Sequence, residues 1–115
     1  MMTDIVILDG ARTAIGTFGG ALAGTTPAEL GATVTRAALE RSGVEGGQIG
    51  HAVYGHVINT ETRDMYVSRI AAMDAGIPET SPAMIVNRLC GSGAQAIVSA
   101  VQSLMLQDAE FAVAG

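Results

Sequence analysis

The chain has 115 residues, of which 49% are hydrophobic, 15% are charged and 15 are glycine. This length allows one domain with a real core, and this composition excludes disorder and a long solvated coiled coil. Six arginines, no lysine and 11 acidic residues give a net charge of −5, which makes nucleic acid and anionic membranes poor partners. The low share of charged residues indicates that part of the apolar surface is covered by something beyond this chain.

The start of the chain predicts a strand, a loop and a helix, in that order. Residues 5–8 (IVIL) form a short apolar run that is typical of a strand buried on both faces. Residues 13–24 are rich in glycine and predict a loop. A helix is predicted to begin after Thr26, because Pro27 and Glu29 then complete a capping box. It is predicted to end at Gly43 and to bury a face formed by Leu30, Val34, Ala37 and Ala38.

The rest of the chain continues the alternation of strands and helices. Strands are predicted over residues 52–58, 84–86 and 109–115. A helix is predicted over residues 63–75, with side chains that point partly inward from Met65, Ile70 and Met73. Another is predicted over residues 91–106, with an inward stripe formed by Ala94, Ile97, Val98, Val101 and Met105. This order predicts an α/β fold with a predominantly parallel sheet covered by helices.

Both ends of the chain carry information about its context. Residues 1–5 lack the basic start and apolar run of a secretory signal, and no apolar stretch reaches the ~18 residues of a membrane span. A lone cysteine cannot form an internal disulfide, which favours the cytoplasm. Residues 111–115 (FAVAG) are typical of the inside of a buried strand rather than of a finished terminus. We therefore expect residues 1–115 to be an incomplete domain, continued along the chain or completed by another one.

The most informative segment is residues 86–97, VNRLCGSGAQAI, which contains the only cysteine, Cys90. It predicts a sulfur between a buried strand and the first turn of a helix. The partial positive charge there favours a thiolate, and the free N–H groups can hold the oxyanion that forms when a thiolate attacks a carbonyl. Gly91 and Gly93 leave room for a bulky acyl group. A lone cysteine is more often core filler, but this context reverses the odds for Cys90.

The other polar candidates have structural explanations that carry more weight. His51 and His56 belong to the second strand region and are predicted to be hydrogen-bonded, not catalytic. Asn87 precedes the turn and is predicted to satisfy backbone groups there, with a supporting role for Cys90 as a secondary possibility. Arg12 and Arg88 are predicted to form ion pairs with acidic residues such as Asp9 or Glu110.

The segment around Cys90 and several segments before and after it resemble those of a known family. Residues 87–93 followed by Gln95 and Ala96 resemble the acyl-enzyme cysteine motif of thiolases, the acetyl-CoA acyltransferases. Residues 12–20 (RTAIGTFGG) resemble their N-terminal segment, and 27–31, 55–58 and 112–115 lie in matching order. The resemblance covers essentially the whole chain and is greatest to bacterial β-ketothiolases that act on short-chain 3-oxoacyl-CoA.

The resemblance implies the N-terminal half of a layered αβα thiolase fold and a two-step exchange on Cys90. Cys90 attacks the 3-keto carbonyl of a 3-oxoacyl-CoA, acetyl-CoA leaves, and free CoA then collects the acyl group from the thioester. Coenzyme A is thus a substrate, with no tightly bound cofactor. The family's histidine, second cysteine and Asn-held water lie in its later half, which also supplies most CoA contacts.

The resemblance also implies a homodimer or homotetramer together with the remaining part of the thiolase, with the third predicted strand and the glycine-rich helix start near the dimer interface. Two alternatives stay open. One keeps the fold but not the chemistry, as in a carrier-type thiolase homologue or a related condensing enzyme. The other is a catalytically incompetent fragment that acts only in folding, association or lipid binding.

Overall fold

A computed structural model describes residues 4–115; the first three residues lie outside the description. Three helices and three strands alternate along this part of the chain. Two short 3-10 helices, Gly46–Gln48 and Thr62–Tyr66, precede β1 and α2 respectively. The elements are α1 (Pro27–Ser42), β1 (Ile49–Gly55), α2 (Val67–Asp74), β2 (Ala83–Val86), α3 (Ser92–Met105) and β3 (Phe111–Ala114).

The sheet is entirely parallel among these strands, in the order β2-β1-β3. The central strand β1 pairs Ala52 with Ala83 of β2 on one side and Val53 with Ala114 of β3 on the other. Because parallel neighbours must be joined by a crossover, each β-to-β connection runs through a helix. The predicted α/β class with a parallel sheet is confirmed.

Consecutive residues of β1 point to opposite faces of the sheet, and each face carries its own core. Ala52 and Tyr54 pack with residues of the α2 side, including Ala72. Val53, between them, faces α3 and packs against Ala96 and Ala100. The result is a layered arrangement, with α1 and α2 on one face of the sheet and α3 on the other.

The first helix forms where the sequence predicts it. The Thr26 side chain accepts a hydrogen bond from the Glu29 amide, and the Glu29 carboxylate accepts one from the Thr26 amide. Gly43 ends the helix in the left-handed conformation, with φ +72°, which a residue without a side chain adopts freely. The predicted face is only half-buried; the buried positions are Ala28, Ala32 and Thr35. A β-carbon added at Gly31 would lie 2.9 Å from the Ala71 β-carbon, so the lack of a side chain there lets α1 approach α2.

The predicted inward stripe of α3 is wrong. Its large members Ile97, Val98 and Met105 are exposed, while the buried face consists of Ser92, Ala96, Ser99 and Ala100. The reason is the close approach of α3 to the sheet, which leaves space only for small side chains. Periodicity finds an apolar stripe but does not show which of two faces meets the sheet.

The strand predicted at residues 5–8 is also wrong. This segment pairs with no strand among the described residues, and Ile7 is 79% exposed. A cleft of about 1040 Å³ lies between it and β3, so no strand among the described residues reaches its backbone groups. A β-strand needs a hydrogen-bonded neighbour, and an apolar run alone does not provide one.

Other boundaries move by a few residues. The predicted strand at 52–58 is β1, shifted three residues earlier, and the helix predicted over 63–75 is a 3-10 turn followed by the shorter α2. Met65 and Met73 are exposed rather than inward. Residues 13–24 form turns without a helix or strand, as predicted. No helix in the described part of the chain is both long and apolar enough to span a bilayer.

The contact between β1 and α3 predicts a specific sensitivity. A β-carbon added at Gly55 would lie 2.7 Å from the Ser92 carbonyl carbon, so Gly55→Ala forces the backbone of β1 away from that of α3. We expect the free energy of unfolding in urea to fall by about 1–3 kcal/mol. Gly47→Ala is the matched control, because a β-carbon at Gly47 meets nothing within 4 Å. Equal stabilities of the two variants would contradict the described contact.

Candidate functional site

The candidate site lies at the carboxyl edge of the sheet, where β1 and β2 end beside the start of α3. The His56 amide, just after β1, donates to the Val86 carbonyl at the end of β2, at 3.1 Å. Residues 87–91 then form a tight turn, and α3 begins at Ser92. The predicted order of strand, turn and helix around Cys90 is confirmed.

The turn is held in an uncommon conformation. Leu89 has φ +50°, in the left-handed region that side chains with a β-carbon rarely adopt. The Leu89 amide donates to Asn87 Oδ1 at 2.9 Å, and the Gly91 amide donates to the Arg88 carbonyl at 3.0 Å. The predicted role of Asn87 in satisfying turn backbone is thereby confirmed.

Cys90 is exposed, and its surroundings are open. The helix N-cap is Gly91, and no side chain caps the helix at that position. A β-carbon at Gly93 would meet nothing within 4 Å, so the space beside the first turn is free on that side. The sulfur therefore lies at a helix N-terminus that an acyl group can approach from solvent.

Both histidines contact other residues. His51 on β1 faces α3, and its Nδ1 lies 2.8 Å from the Ser103 hydroxyl. His56 is half-buried on the opposite face, with Nε2 3.7 Å from Asp64 Oδ2. The predicted hydrogen bond is confirmed for His51, whereas His56 Nε2 is buried without a hydrogen-bond partner and only approaches the Asp64 carboxylate.

Asp64 is a buried carboxylate beside His56 that the sequence analysis missed. It is fully buried, and its Oδ2 accepts from the Thr60 amide and hydroxyl at 2.5 and 2.7 Å and from the Glu61 amide at 3.1 Å. These bonds, the Thr60 hydroxyl first, hold the pKa of Asp64 below its usual 3.8. The sequence carried one signal for these hydrogen bonds: an acidic residue lies four positions after Thr60 in a polar stretch.

The predicted ion pairs of the two arginines are wrong. Arg12 donates to the Thr13 carbonyl, and Arg88 donates to the Gln95 side chain at 2.9 Å. Within residues 4–115, His56 and Asp64 form the only contact between basic and acidic groups within 4 Å. Both guanidinium groups donate hydrogen bonds to carbonyl oxygens close by in sequence. An exposed ion pair would add little stability in their place.

The comparisons with known proteins agree with this geometry. The sequence profile described as "Thiolase, N-terminal domain" matches residues 5–115. The chain belongs to the thiolase family. Its fold is also that of solved thiolases: the acetyl-CoA acetyltransferase of Bacillus anthracis superposes with a TM-score of 0.92 at 41% identity, over 99% of this chain and 29% of that one.

Curated thiolases give the same result at the sequence level. The chain is 55% identical over 115 residues to the β-ketothiolase BktB of Cupriavidus necator, and 47% identical over 114 residues to an acetyl-CoA acetyltransferase of that organism. These alignments cover 100% and 99% of this chain but 29% of each relative. Human mitochondrial 3-ketoacyl-CoA thiolase, solved in complex with CoA, superposes with a TM-score of 0.84 at 32% identity, over 90% of this chain and 28% of that one.

The buried carboxylate of this thiolase domain predicts a pH dependence of stability. Because the pKa of Asp64 is lower in the folded than in the unfolded chain, its contribution is present above about pH 4 and is lost as the pH falls through the folded pKa. Asp64→Asn removes that contribution, so its urea unfolding midpoint should fall less steeply with acid than that of the unsubstituted chain. Asp108→Asn, at an exposed position, is the control. Parallel acid profiles for Asp64→Asn and the unsubstituted chain would refute this role.

Proposed function

We propose that this chain is the nucleophile-bearing domain of an acyl-CoA C-acyltransferase that makes or cleaves short-chain 3-oxoacyl-CoA. The observation that carries the proposal is the exposed Cys90 sulfur at a helix start that no side chain caps. Helix starts are positions at which nucleophilic cysteines occur, because the positive end of the helix can stabilise an oxyanion that develops there. The names of the relatives, β-ketothiolase and acetyl-CoA acetyltransferase, support this chemistry.

In the proposed cleavage, the Cys90 thiolate attacks the 3-keto carbon of a 3-oxoacyl-CoA. The bond between carbons 2 and 3 then breaks, carbon 2 takes a proton, and acetyl-CoA leaves. The acyl group stays on Cys90 as a thioester, and the thiol of a second CoA attacks it, releasing the shortened acyl-CoA and restoring the cysteine. Covalent catalysis divides one difficult carbon–carbon step into two easier ones.

The remaining groups are proposed to come from outside these residues. His51 and His56 contact Ser103 and Asp64, and the sequence has no second cysteine to move the α-proton. A net charge of −5 without lysine also offers few partners for the CoA phosphates. We therefore propose that residues 1–115 act as part of a complete cytoplasmic thiolase, a homodimer or homotetramer of fatty acid metabolism, with CoA as a substrate and no tightly bound cofactor.

A second candidate is a catalytically incompetent or carrier-type thiolase domain that acts in association or lipid binding. The exposed apolar side chains favour it, among them Ile97 and Val98 on α3 and Ile7 in the N-terminal segment. Such a surface serves assembly whether or not Cys90 reacts. The two candidates differ in one measurable product, an acylated Cys90.

The test uses two proteins: the chain itself, and the chain joined to the remaining residues of the C. necator β-ketothiolase. On mixing the joined protein with acetoacetyl-CoA, we expect an acetyl group on the Cys90 peptide by mass spectrometry. Cys90→Ser in the joined protein should lower thiolysis at least about 10³-fold, because an unactivated hydroxyl replaces the thiolate. The chain alone should show no turnover.

One control and one contradicting outcome complete the test. Gly47→Ala, at an open surface position, should keep the activity of the unsubstituted joined protein. Unchanged thiolysis by Cys90→Ser, or acetylation at another residue, would end the proposal and leave the association function as the better account.

A further inference from the structure

We propose that Ser92 is a positioning residue for the nucleophile: its hydroxyl clamps the backbone of the turn that presents Cys90. This inference rests on the proposed function, since positioning matters only if Cys90 reacts. It concerns a buried side chain next to the reacting one, which the sequence alone presents only as part of a Gly-Ser-Gly string.

The Ser92 hydroxyl bonds to both residues that lead into Cys90. It accepts a hydrogen bond from the Arg88 amide at 2.9 Å and donates one to the Leu89 carbonyl at 2.7 Å. The Ser92 amide donates to the same Leu89 carbonyl at 3.1 Å. One side chain thus joins the start of α3 to the backbone before the nucleophile.

These bonds complete the backbone pairing of Arg88 and Leu89. Asn87 accepts from the Leu89 amide, and Gly91 donates to the Arg88 carbonyl. Of the four polar backbone groups on the two residues, the Ser92 hydroxyl serves two. Without it the Arg88 amide loses its acceptor, and the Leu89 carbonyl keeps only the longer bond from the Ser92 amide.

The clamp acts on a backbone that would otherwise relax. Leu89 is held at φ +50°, which a leucine leaves readily unless its neighbours fix it. Such conformations persist where the surroundings over-determine them. Since Cys90 directly follows Leu89, a change of the Leu89 dihedral angles rotates the peptide that carries the Cys90 amide and redirects its sulfur.

Ser92 is itself fixed in place. It is 5% exposed, and its backbone lies against Gly55, where an added β-carbon would come within 2.7 Å. The end of β1 therefore supports Ser92, and Ser92 supports the turn. This chain of contacts transmits the geometry of the sheet to the nucleophile.

The test compares Ser92→Ala with Ser99→Ala in the joined protein defined above. Both serines are buried on α3, but the Ser99 hydroxyl accepts from Gln95 and makes no bond to the turn. We expect Ser92→Ala to lower kcat about 10–100-fold with KM for acetoacetyl-CoA unchanged, and Ser99→Ala to stay within about twofold. Equal kcat values for the two variants at equal urea stability would overturn the proposal.

A second pair of variants separates the hydroxyl from packing. Ser92→Thr and Ser92→Val add the same volume, and only threonine keeps the hydroxyl. Threonine should restore more kcat than valine; equal values would overturn the proposal. If these variants do not fold, amide exchange in the unsubstituted chain decides, since the clamp predicts a protected Arg88 amide and free exchange contradicts it.

Failure here is distinguishable from failure of the proposed function. If the unsubstituted joined protein forms no acyl-cysteine, the proposed function is wrong. The rate at which iodoacetamide alkylates Cys90 then replaces kcat in the comparison of the two variants. Ser92→Ala should then react more slowly than Ser99→Ala, because the turn no longer holds the sulfur beside the helix start. Equal alkylation rates would overturn the positioning role by itself.

Discussion

The end of β1 meets the first turn of α3 at a distance that only glycine permits. Gly55 lies against the backbone of Ser92 and Gly93, and the rest of the α3 surface facing the sheet consists of alanine and serine. This close approach brings the start of α3 to the carboxyl edge of the parallel sheet. There the turn after β2 is short, and its cysteine projects into solvent.

The same constraint explains the unusual surface of the domain. A helix that buries its small residues must turn its large ones outward, and Ile97, Val98 and Met105 are all exposed. Ile97 also lines the cleft beside β3, together with the unpaired apolar segment 5–8, so the exposed face of α3 and the cleft adjoin. This apolar surface fits the proposal that the domain associates with further thiolase structure, since the chain spans 29% of the length of the β-ketothiolase that it matches.

Chemistry and packing are separated within the turn. The side chains of Asn87 and Ser92 form hydrogen bonds with the backbone of the turn, whereas Cys90 is exposed. On the opposite face of β1, Asp64 draws the loop after the strand into a compact cap. A turn whose backbone is held by hydrogen bonds while its cysteine is exposed suits the covalent catalysis proposed for Cys90, since positioning supplies much of the rate.

Local signals in the sequence were sufficient where the structure depends on local bonds. Thr26, Glu29 and Gly43 define α1 through hydrogen bonds within a few residues, and both ends were predicted correctly. The strand predicted at residues 5–8 was wrong because a strand depends on a partner distant in sequence. The inward face predicted for α3 was wrong because only small side chains fit where the helix lies close to the sheet. Ser92 and Asp64 were missed because serine and aspartate are common in turns, and only the fold shows which ones are buried.

The most direct test of the account is the rate at which iodoacetamide alkylates Cys90 in the folded chain near neutral pH, relative to free cysteine under the same conditions. An exposed sulfur at a helix start that no side chain caps should react faster than free cysteine, because the positive end of the helix lies beside it. A rate equal to or below that of free cysteine would contradict the account.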